Sequence, residues 1–488
     1  MIPQLSRPFL YSLICYLLTL HAAFAGMQKA EDGVVKILAI GNSFSADAIE
    51  NNLYDLAKEK GIKTIVANLY IGGAPLVLHV NNARENKASY SYRKTDVNGE
   101  RTTVSNVSLE KALMEEDWDY ISLQQASPFS GQFQTVAESL PELVTYVKGK
   151  AKNPNVKLMY HQTWAYSEHA VHPGFANYNR DQQTMYRAIV DVSQRVPSVA
   201  PIDFIIPAGT AIQNARTSYI GDNFDRDGYH LRFSLGRYVA ACTWFEKIFG
   251  ESVVGLKYKP ADVTELEKEV AQYAAHYAVQ RPYEVTPLKK FRKGPKGLKN
   301  PAAAILIDFG GVSHEGSWNP IISPLAGKQH PLKDSLLNHS RIVLEMLEPF
   351  EGKNSDGTRQ PETPYHFPAS VTSSSYFGTA KNDQTGNKQA KFKLTGLDKK
   401  GNYDIALFAS RISDTLGVQE TLIVCEGEVR QEVTIDATNN TSEVGSVYAL
   451  KPAKDGSITF TVTAGSGNTN PKGLFYLSAL RLEAKRAR

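Results

Sequence analysis

The 488-residue sequence has little cysteine and little net charge, and each shortage excludes a class of protein. Its three cysteines, Cys15, Cys242 and Cys425, are too few and too widely spaced for a disulfide framework or a cysteine-rich metal site. We expect Cys242 and Cys425 to be buried thiols. A formal charge of +4 gives no reason to expect nucleic acid or a membrane surface as a partner.

Long apolar runs are also scarce, and the one at the start has the features of an export signal. Arg7 precedes the apolar run 9–20, and Ala23-Phe24-Ala25 forms a small-x-small cleavage site. The run is too short for a comfortable membrane span. We expect cleavage near Ala25 and a periplasmic or extracellular protein with no membrane contact beyond export.

The length predicts more than one domain, and the pattern changes near residue 290. Residues 1–25 are the signal and 30–280 the first domain. Residues 281–300, rich in Pro, Gly and Lys, read as a solvated linker. Residues 301–488 form the second domain.

Strands and helices alternate in the first domain, which predicts an α/β fold whose parallel sheet has helices on both faces. Thr64–Tyr70 is the second strand, and two polar segments flanking Asn98-Gly99 predict a β-hairpin. In such sheets ligands bind beyond the carboxyl ends of the strands. The second domain has short strand-like segments separated by turn residues, which predicts an antiparallel β-sandwich.

The segment Gly41-Asn42-Ser43 lies where the first strand passes into the first helix. A serine there has its hydroxyl at the carboxyl edge of the sheet and its N–H near a helix N-terminus, which suits a nucleophile. The alternative is that Ser43 only caps the helix.

Asp227-Gly228-Tyr229-His230 supplies the groups that a serine nucleophile needs. His230 can remove the hydroxyl proton, and Asp227 can orient the imidazole. A rival interpretation is calcium, because Asn223, Asp225 and Asp227 imitate the start of an EF-hand loop. Ser234 stands where that loop needs a bidentate glutamate, so we expect no metal and no cofactor.

Together, Gly41-Asn42-Ser43 and Asp227-x-x-His230 resemble the two conserved blocks of the SGNH (GDSL) hydrolases, in particular a secreted Bacteroidetes-type branch. The resemblance covers roughly residues 34–250. It implies a flavodoxin-like three-layer α/β/α domain with Ser43, Asp227 and His230 as the catalytic residues. The second domain is similar to the accessory jelly-roll modules of secreted sugar enzymes.

The resemblance also implies an oxyanion hole built from the N–H of Ser43, a glycine N–H after the second strand and a side-chain amide after the third. The glycine corresponds to Gly73, with Gly72 as the alternative. The run 123–127, Leu-Gln-Gln-Ala-Ser, is similar to a segment of sialate-type acetylesterases, so Gln124 would supply the amide. Gln125 competes with it, because strand alternation points only one of the two at the site.

Four further residues are candidates for contact with a substrate. His161 and Trp164 end the fourth strand, and Tyr229 and Arg232 flank the histidine. A tryptophan beside polar groups suits a sugar ring, although packing against a helix would explain it equally.

These features predict a carbohydrate esterase that uses a Ser-His-Asp triad to remove acyl groups, with O-acetyl groups as the first expectation. The expected partner is an esterified carbohydrate or polysaccharide. A uronic-acid methylesterase or a lipid esterase could use the same residues. A non-catalytic glycan-binding protein is the alternative from another class.

Overall fold

A computed structural model describes residues 33–310, 317–321, 324–381 and 388–485. The predicted export signal lies outside these ranges. Among the described residues, no helix has the length and apolar character needed to cross a membrane.

The first half of the chain is built on one seven-stranded sheet. Its strands are β1 Val34–Gly41, β2 Lys63–Tyr70, β3 Tyr90–Thr95, β4 Arg101–Val107, β5 Tyr120–Leu123, β6 Lys157–His161 and β7 Phe204–Ile206. They lie in the order β4-β3-β2-β1-β5-β6-β7. The five strands β2-β1-β5-β6-β7 are parallel, and β3 and β4 add an antiparallel hairpin at one edge. The predicted parallel sheet and hairpin are therefore confirmed.

Helices cover both faces of this sheet. Along β1, Ile37 and Ala39 belong to one apolar cluster, and Leu38 and Ile40 belong to another. Alternate side chains of a strand point to opposite faces, so the sheet is buried on both sides. The helices are α1 Ser43–Ile49, α2 Leu53–Glu59, α3 Leu76–Arg84, α4 Leu109–Leu113, α5 Phe133–Lys150, α6 Gln182–Arg195, α7 Ala208–Arg216, α8 Leu235–Phe249 and α9 Glu265–Gln280.

The second half is rich in strands, as predicted, and its described residues include the short helix α10 Ala369–Thr372. Its strands are β8 Ile305–Asp308, β9 Asn319–Pro320, β10 Gln329–Lys333, β11 His339–Glu348, β12 Gly352–Asn354, β13 Ser375–Thr379, β14 Ala390–Thr395, β15 Asn402–Phe408, β16 Glu420–Glu426, β17 Arg430–Asp436, β18 Gly445–Leu450, β19 Ile458–Ala464, β20 Leu474–Leu477 and β21 Ala479–Lys485.

Three sheets contain these strands, in the orders β10-β11-β14-β19-β16-β17, β12-β13-β20 and β18-β15-β21-β8-β9. The pairings are antiparallel except for the short β8–β9 pair. One apolar cluster contains Phe392 and Phe460 of the six-stranded sheet together with Leu407 and Leu480 of the five-stranded sheet. The two larger sheets therefore bury side chains in a common core.

Cys242 and Cys425 are unbridged and buried, as expected; Cys242 lies in α8 and Cys425 in β16.

The proline- and lysine-rich break is packed, which differs from the expectation of a solvated linker. Leu288 and Phe291 are buried in a core of the first half, and the Phe291 ring lies 5.5 Å from that of Tyr273 on α9. The N–H of Tyr219 donates to the Phe291 carbonyl at 2.8 Å. The composition of residues 281–300 predicted a solvated chain, but the buried side chains of Leu288 and Phe291 pack this segment against the helices of the first half.

Candidate active site

Ser43 is the first residue of α1, directly beyond the carboxyl end of β1. The helix cap is Asn42, whose side-chain oxygen accepts a hydrogen bond from the N–H of Phe44 at 3.0 Å. The alternative that Ser43 itself caps the helix is therefore wrong. Because Asn42 performs the capping, the Ser43 hydroxyl is available for another partner.

That partner is His230. Ser43 Oγ lies 2.8 Å from His230 Nε2, and His230 Nδ1 lies 2.8 Å from Asp227 Oδ2. A carboxylate can only accept, so Nδ1 carries the hydrogen and Nε2 accepts from the serine hydroxyl. The structure thus places the three sequence-predicted residues in one continuous series of hydrogen bonds.

Asp227 is well suited to remain charged beside the imidazole. Its Oδ1 also accepts from the N–H groups of His230 at 2.8 Å and Tyr229 at 3.2 Å. Burial alone would raise the pKa of Asp227, but the hydrogen bonds and charge of His230 outweigh it and leave the pKa below its usual value. A charged carboxylate stabilises the imidazolium that forms when His230 takes a proton.

The Asp227–His230 segment is the tip of a hairpin-like loop. An isolated bridge joins Asp225 to Leu231, and the N–H of Arg226 donates to the His230 carbonyl at 2.8 Å. Gly228 in this tip has φ +93°, and a Cβ there would lie 2.9 Å from the Cα of Ala170. Only glycine fits this turn without strain, and the turn brings both catalytic candidates from one short segment.

Sequence reasoning missed Asp47, which joins the serine helix to the histidine loop. Asp47 lies one helical turn after Ser43 and is 1% exposed. Its carboxylate accepts from the Leu231 N–H at 2.8 Å and pairs with Arg226 at 3.2 Å and Arg237 at 2.5 Å. The i, i+4 spacing from Ser43 was the available signal, because it places both side chains on one side of α1.

We expect Asp47→Asn to lower kcat/KM by about 100-fold, since loss of this anchor allows the histidine loop to shift relative to Ser43. The thermal midpoint should fall as well, because Arg226 and Arg237 lose the charge that compensates them. Ester hydrolysis and thermal unfolding would be measured on the same preparations. Asp191→Asn is the matched control, because its pair with Arg195 is exposed and should change neither property. Unchanged activity in Asp47→Asn would contradict the positioning role.

Two backbone N–H groups near the Ser43 hydroxyl are candidates for an oxyanion hole. Within the described residues, the N–H groups of Ser43 and Gly73 donate to no protein acceptor. Asn42 Nδ2 donates to the Ala74 carbonyl at 3.1 Å, which holds the turn after β2 against the start of α1. Gly73 has φ +67° in this turn. The N–H of Gly72 is equally free of acceptors in the described part of the chain, so it stays an alternative.

The two glutamines after β5 have different surroundings. Gln125 points toward the starts of two helices, since its Oε1 accepts from the N–H groups of Leu76 and Ala126 and its Nε2 donates to Thr135. Gln124 instead faces the serine segment, where its Nε2 donates to Asn42 Oδ1 at 2.8 Å. Of the two alternatives, Gln124 is therefore the one near Ser43. Its second amide hydrogen is available to an oxyanion.

His161 and Trp164 do not line a substrate surface, which corrects their expected role. Both are buried, at 1% and 0% exposure. His161 Nδ1 lies 2.9 Å from Gln124 Oε1, and burial lowers the pKa of His161 to about 3, so the ring stays neutral and orients that amide. Trp164 stacks on Phe44 with centroids 4.4 Å apart and donates to the Tyr229 carbonyl at 2.7 Å. Packing, the alternative interpretation, explains both residues.

Partly exposed rings line one side of His230. The Tyr229 ring lies 4.2 Å from that of His230, and the His172 ring lies 4.8 Å from that of Tyr229. Burial lowers the pKa of His172, and the nearby His230 lowers it further. Arg232 is half-buried and donates to the Asn223 carbonyl at 3.3 Å, so it supports the loop. His172 was not predicted, because nothing near it in sequence marks it.

Comparison with known proteins places the first half of the chain in a family. The profile of DUF4886, a domain of unknown function, matches residues 36–278. A crystal structure of a DUF4886 family protein from Bacteroides uniformis is 48% identical and covers 53% of this chain and 99% of its own, with a TM-score of 0.52. The chain belongs to the DUF4886 family. No curated protein sequence matches it.

More distant structural neighbours of this DUF4886 chain are esterases and acylhydrolases. A carbohydrate esterase family 3 protein from Talaromyces cellulolyticus is 12% identical and covers 44% of this chain and 97% of its own, with a TM-score of 0.28. Axe2, an acetylxylan esterase from Geobacillus stearothermophilus, is 12% identical and covers 46% of this chain and 96% of its own, with a TM-score of 0.29. At this level of similarity, neither substrate is transferred to this chain.

The strand-rich half contacts the loop of the DUF4886 domain that leads to Asp227 and His230. Lys328 Nζ donates to the Asp222 carbonyl at 3.2 Å. Lys353, on β12, is exposed to solvent, and its ammonium group interacts with the charges of Asp227 and Asp308. Two cations from the second half therefore act on the segment that carries Asp227 and His230.

Acidic residues of this DUF4886 loop have protein partners. Asp225 Oδ1 accepts from the Gly228 N–H at 2.8 Å, and Asp222 pairs with Arg216 at 2.7 Å. Among the described residues, no group of three or more His, Cys, Asp or Glu side chains is arranged to hold a metal ion.

Asp225 predicts a pH dependence of stability. Burial, and then the charge of Asp222, raise the pKa of Asp225 to about 7. The folded state therefore holds a proton between about pH 4 and pH 7 that the unfolded state releases, so this contribution to stability is lost as the pH rises through 7. Asp225→Asn imitates the protonated acid. The thermal midpoint of this variant minus that of the parent should therefore be larger at pH 8.5 than at pH 5, by about 3 °C or more.

Asp222→Asn is the matched control for this pH experiment. Burial opposes ionisation of Asp222, but the charges of Arg216 and Lys328 together with the hydrogen bond from the Glu168 N–H outweigh it, so the pKa of Asp222 lies below its usual value. Its contribution is therefore present at both pH values, and Asp222→Asn should lose stability at each. A difference between Asp225→Asn and the parent that does not change with pH would contradict the raised pKa.

Proposed function

We propose that this protein is an exported serine esterase that removes O-acetyl groups from a carbohydrate. The observation that carries the proposal is the continuous series from Ser43 Oγ through His230 to Asp227, with both separations at 2.8 Å. A nucleophile, a base and a group that orients the base are the parts that acyl transfer requires.

In the proposed reaction, Ser43 Oγ attacks the ester carbonyl while His230 Nε2 takes the hydroxyl proton. Negative charge develops on the carbonyl oxygen, where the N–H groups of Ser43 and Gly73 and the amide of Gln124 stabilise it. The C–O bond of the ester then breaks, and His230 gives its proton to the departing sugar hydroxyl. Water, activated by His230, releases acetate from Ser43 and restores the enzyme.

The rim of the site favours a polar substrate over a lipid. The rings beside His230 belong to Tyr229 and His172, which combine a flat face with a polar tip. Such rings suit a sugar, which has apolar faces and hydroxyl edges. A lipid would need a large apolar surface at this position.

A uronic-acid methylesterase is the second candidate, and Lys353 is the observation that favours it. Its ammonium group is close enough to Asp227 for the two charges to interact. A cation at the edge of the site would attract a polymer that carries carboxylates. The same triad would then release methanol in place of acetate.

The test is release of acetate and methanol from a panel of acetylated and methyl-esterified polysaccharides, with Ser43→Ala as the control. Acetate released by the wild type alone supports the acetylesterase and begins to name the glycan. Methanol alone moves the function to the methylesterase. If neither protein releases a product, including from 4-nitrophenyl acetate, the hydrolase proposal fails and a glycan-binding protein on the same fold takes its place.

A further inference from the structure

A cleft of about 590 Å³ opens in the strand-rich half and shares no residue with the Ser43 site. Five chain segments, distant in sequence, form its walls. Its lining includes Trp318, Tyr365, His366, Phe367, Arg481 and Glu483. Binding sites for small molecules commonly have volumes of about 300–1,000 Å³, so the cleft is large enough for one or two sugar rings.

Buried hydrogen bonds hold the walls in place. Asp334, fully buried, accepts from the Ala302 N–H at 3.0 Å, and the Ser335 N–H donates to the Ala304 carbonyl at 2.8 Å. Asn319, next to Trp318, donates to the Leu306 carbonyl at 2.8 Å. The cleft is therefore formed before any ligand arrives, which lowers the entropic cost of binding.

Aromatic side chains form one side of the cleft. Trp318 packs edge-on against Phe367 with centroids 5.3 Å apart, and Phe367 stacks on Tyr365 at 5.9 Å. Trp318 and Phe367 are buried, whereas Tyr365 is half-exposed. Trp318 and Phe367 therefore support this wall from inside the domain, and Tyr365 is the ring of the three that a ligand can reach.

Charged side chains face this wall. The Arg481 guanidinium lies 5.0 Å from the Tyr365 ring centroid, and its Nη2 lies 2.7 Å from Glu483 Oε2. His366 is exposed and has φ +51°, a left-handed conformation that is uncommon for histidine. The cleft therefore combines donors and acceptors in an arrangement whose charges balance.

We propose that this cleft binds a neutral sugar unit of a glycan. Paired donors and acceptors match sugar hydroxyls, which both donate and accept, and the half-exposed Tyr365 ring matches part of the C–H face of the sugar ring. Glu483 already neutralises Arg481, so an anionic ligand gains little from that guanidinium. The proposal holds whether or not the Ser43 site is an esterase.

The test is calorimetric titration of the full chain with xylotetraose, mannotetraose and cellotetraose, and with trigalacturonate as the acidic comparison. We expect at least one neutral tetrasaccharide to bind. Arg481→Met should weaken that binding by about tenfold or more, because the hydrogen bonds to a charged donor are lost. Hydrolysis of 4-nitrophenyl acetate should be the same in Arg481→Met and the wild type, which separates this site from the triad.

Arg430→Met is the matched control. Arg430 pairs with Glu432 two residues later on β17, which is the same spacing as in the Arg481–Glu483 pair. Arg430 and Glu432 do not line the cleft. Its saccharide affinity should equal that of the wild type. Absence of neutral saccharide binding, equal affinity in Arg481→Met, or binding of trigalacturonate alone would each overturn the proposal. If the wild type binds a neutral saccharide but hydrolyses no ester, the result would count against the proposed esterase and not against this binding site.

Discussion

His230→Ala is expected to lower kcat for ester hydrolysis by about 10⁶-fold, which would be the largest single effect in the molecule. His230 Nε2 is the group in contact with Ser43 Oγ, at 2.8 Å, and a serine hydroxyl is a poor nucleophile without a base. Residual hydrolysis would come from the oxyanion donors and from substrate binding alone.

The same experiment tests whether the three residues act as one unit. The double variant Ser43→Ala/His230→Ala should be no slower than either single variant, because each change already removes nucleophilic attack. Initial rates on 4-nitrophenyl acetate measure all three. Additive losses would show that Ser43 and His230 work separately, against the proposed mechanism.

His276→Ala is a control with the same chemistry and a different place. His276 Nδ1 lies 2.6 Å from Glu246 Oε1, so it is a second histidine paired with a carboxylate. In the described part of the chain, its Nε2 lies 2.8 Å from the Gln280 amide nitrogen rather than beside a serine hydroxyl. Full activity in His276→Ala would show that the effect of His230→Ala arises from the site and not from the loss of a histidine–carboxylate pair.

Asp227→Asn is expected to lower kcat by about 10⁴-fold with little change in the thermal midpoint. An asparagine in the same position keeps an oxygen for the N–H groups of Tyr229 and His230, so the loop should retain its shape. The amide would no longer hold the Nδ1 hydrogen or stabilise the imidazolium, so the base would be held in the wrong tautomer.

Glu246→Gln is the corresponding control, since it alters the carboxylate of the His276 pair in the same way. It should leave kcat unchanged. More than about a tenth of wild-type activity in Asp227→Asn would mean that Asp227 only shapes the loop, and another group would have to orient His230. Kinetics and thermal unfolding of the two variants together separate these outcomes.

The contact between the two halves places two lysines of the strand-rich region beside the Asp227–His230 loop, which the sequence did not indicate. Lys328 binds the backbone of the loop through the Asp222 carbonyl at 3.2 Å. Lys353 adds a positive charge near Asp227. The second half thus supports the loop, and it also contains a cleft of its own.

Local patterns in the sequence were sufficient for the sheet and for the residues of the triad. Alternating strands and helices predicted the five parallel strands, because apolar periodicity and turn residues are properties of short segments. Ser43 and the Asp227–His230 segment were found for a related reason. Because the carboxyl ends of parallel strands lie at one edge of the sheet, a serine after β1 and a late Asp-x-x-His are expected close together at that edge.

Only the tertiary structure decided which way the remaining side chains point. His161 and Trp164 stand at the right strand end but are buried, and Gln124 rather than Gln125 faces Ser43. Asp47 anchors the histidine loop across 184 residues of sequence. Burial and long-range pairing depend on contacts between segments distant along the chain, and no local pattern records them. The sequence therefore determined which reactive side chains the protein has, and packing determined which of them lie at the site.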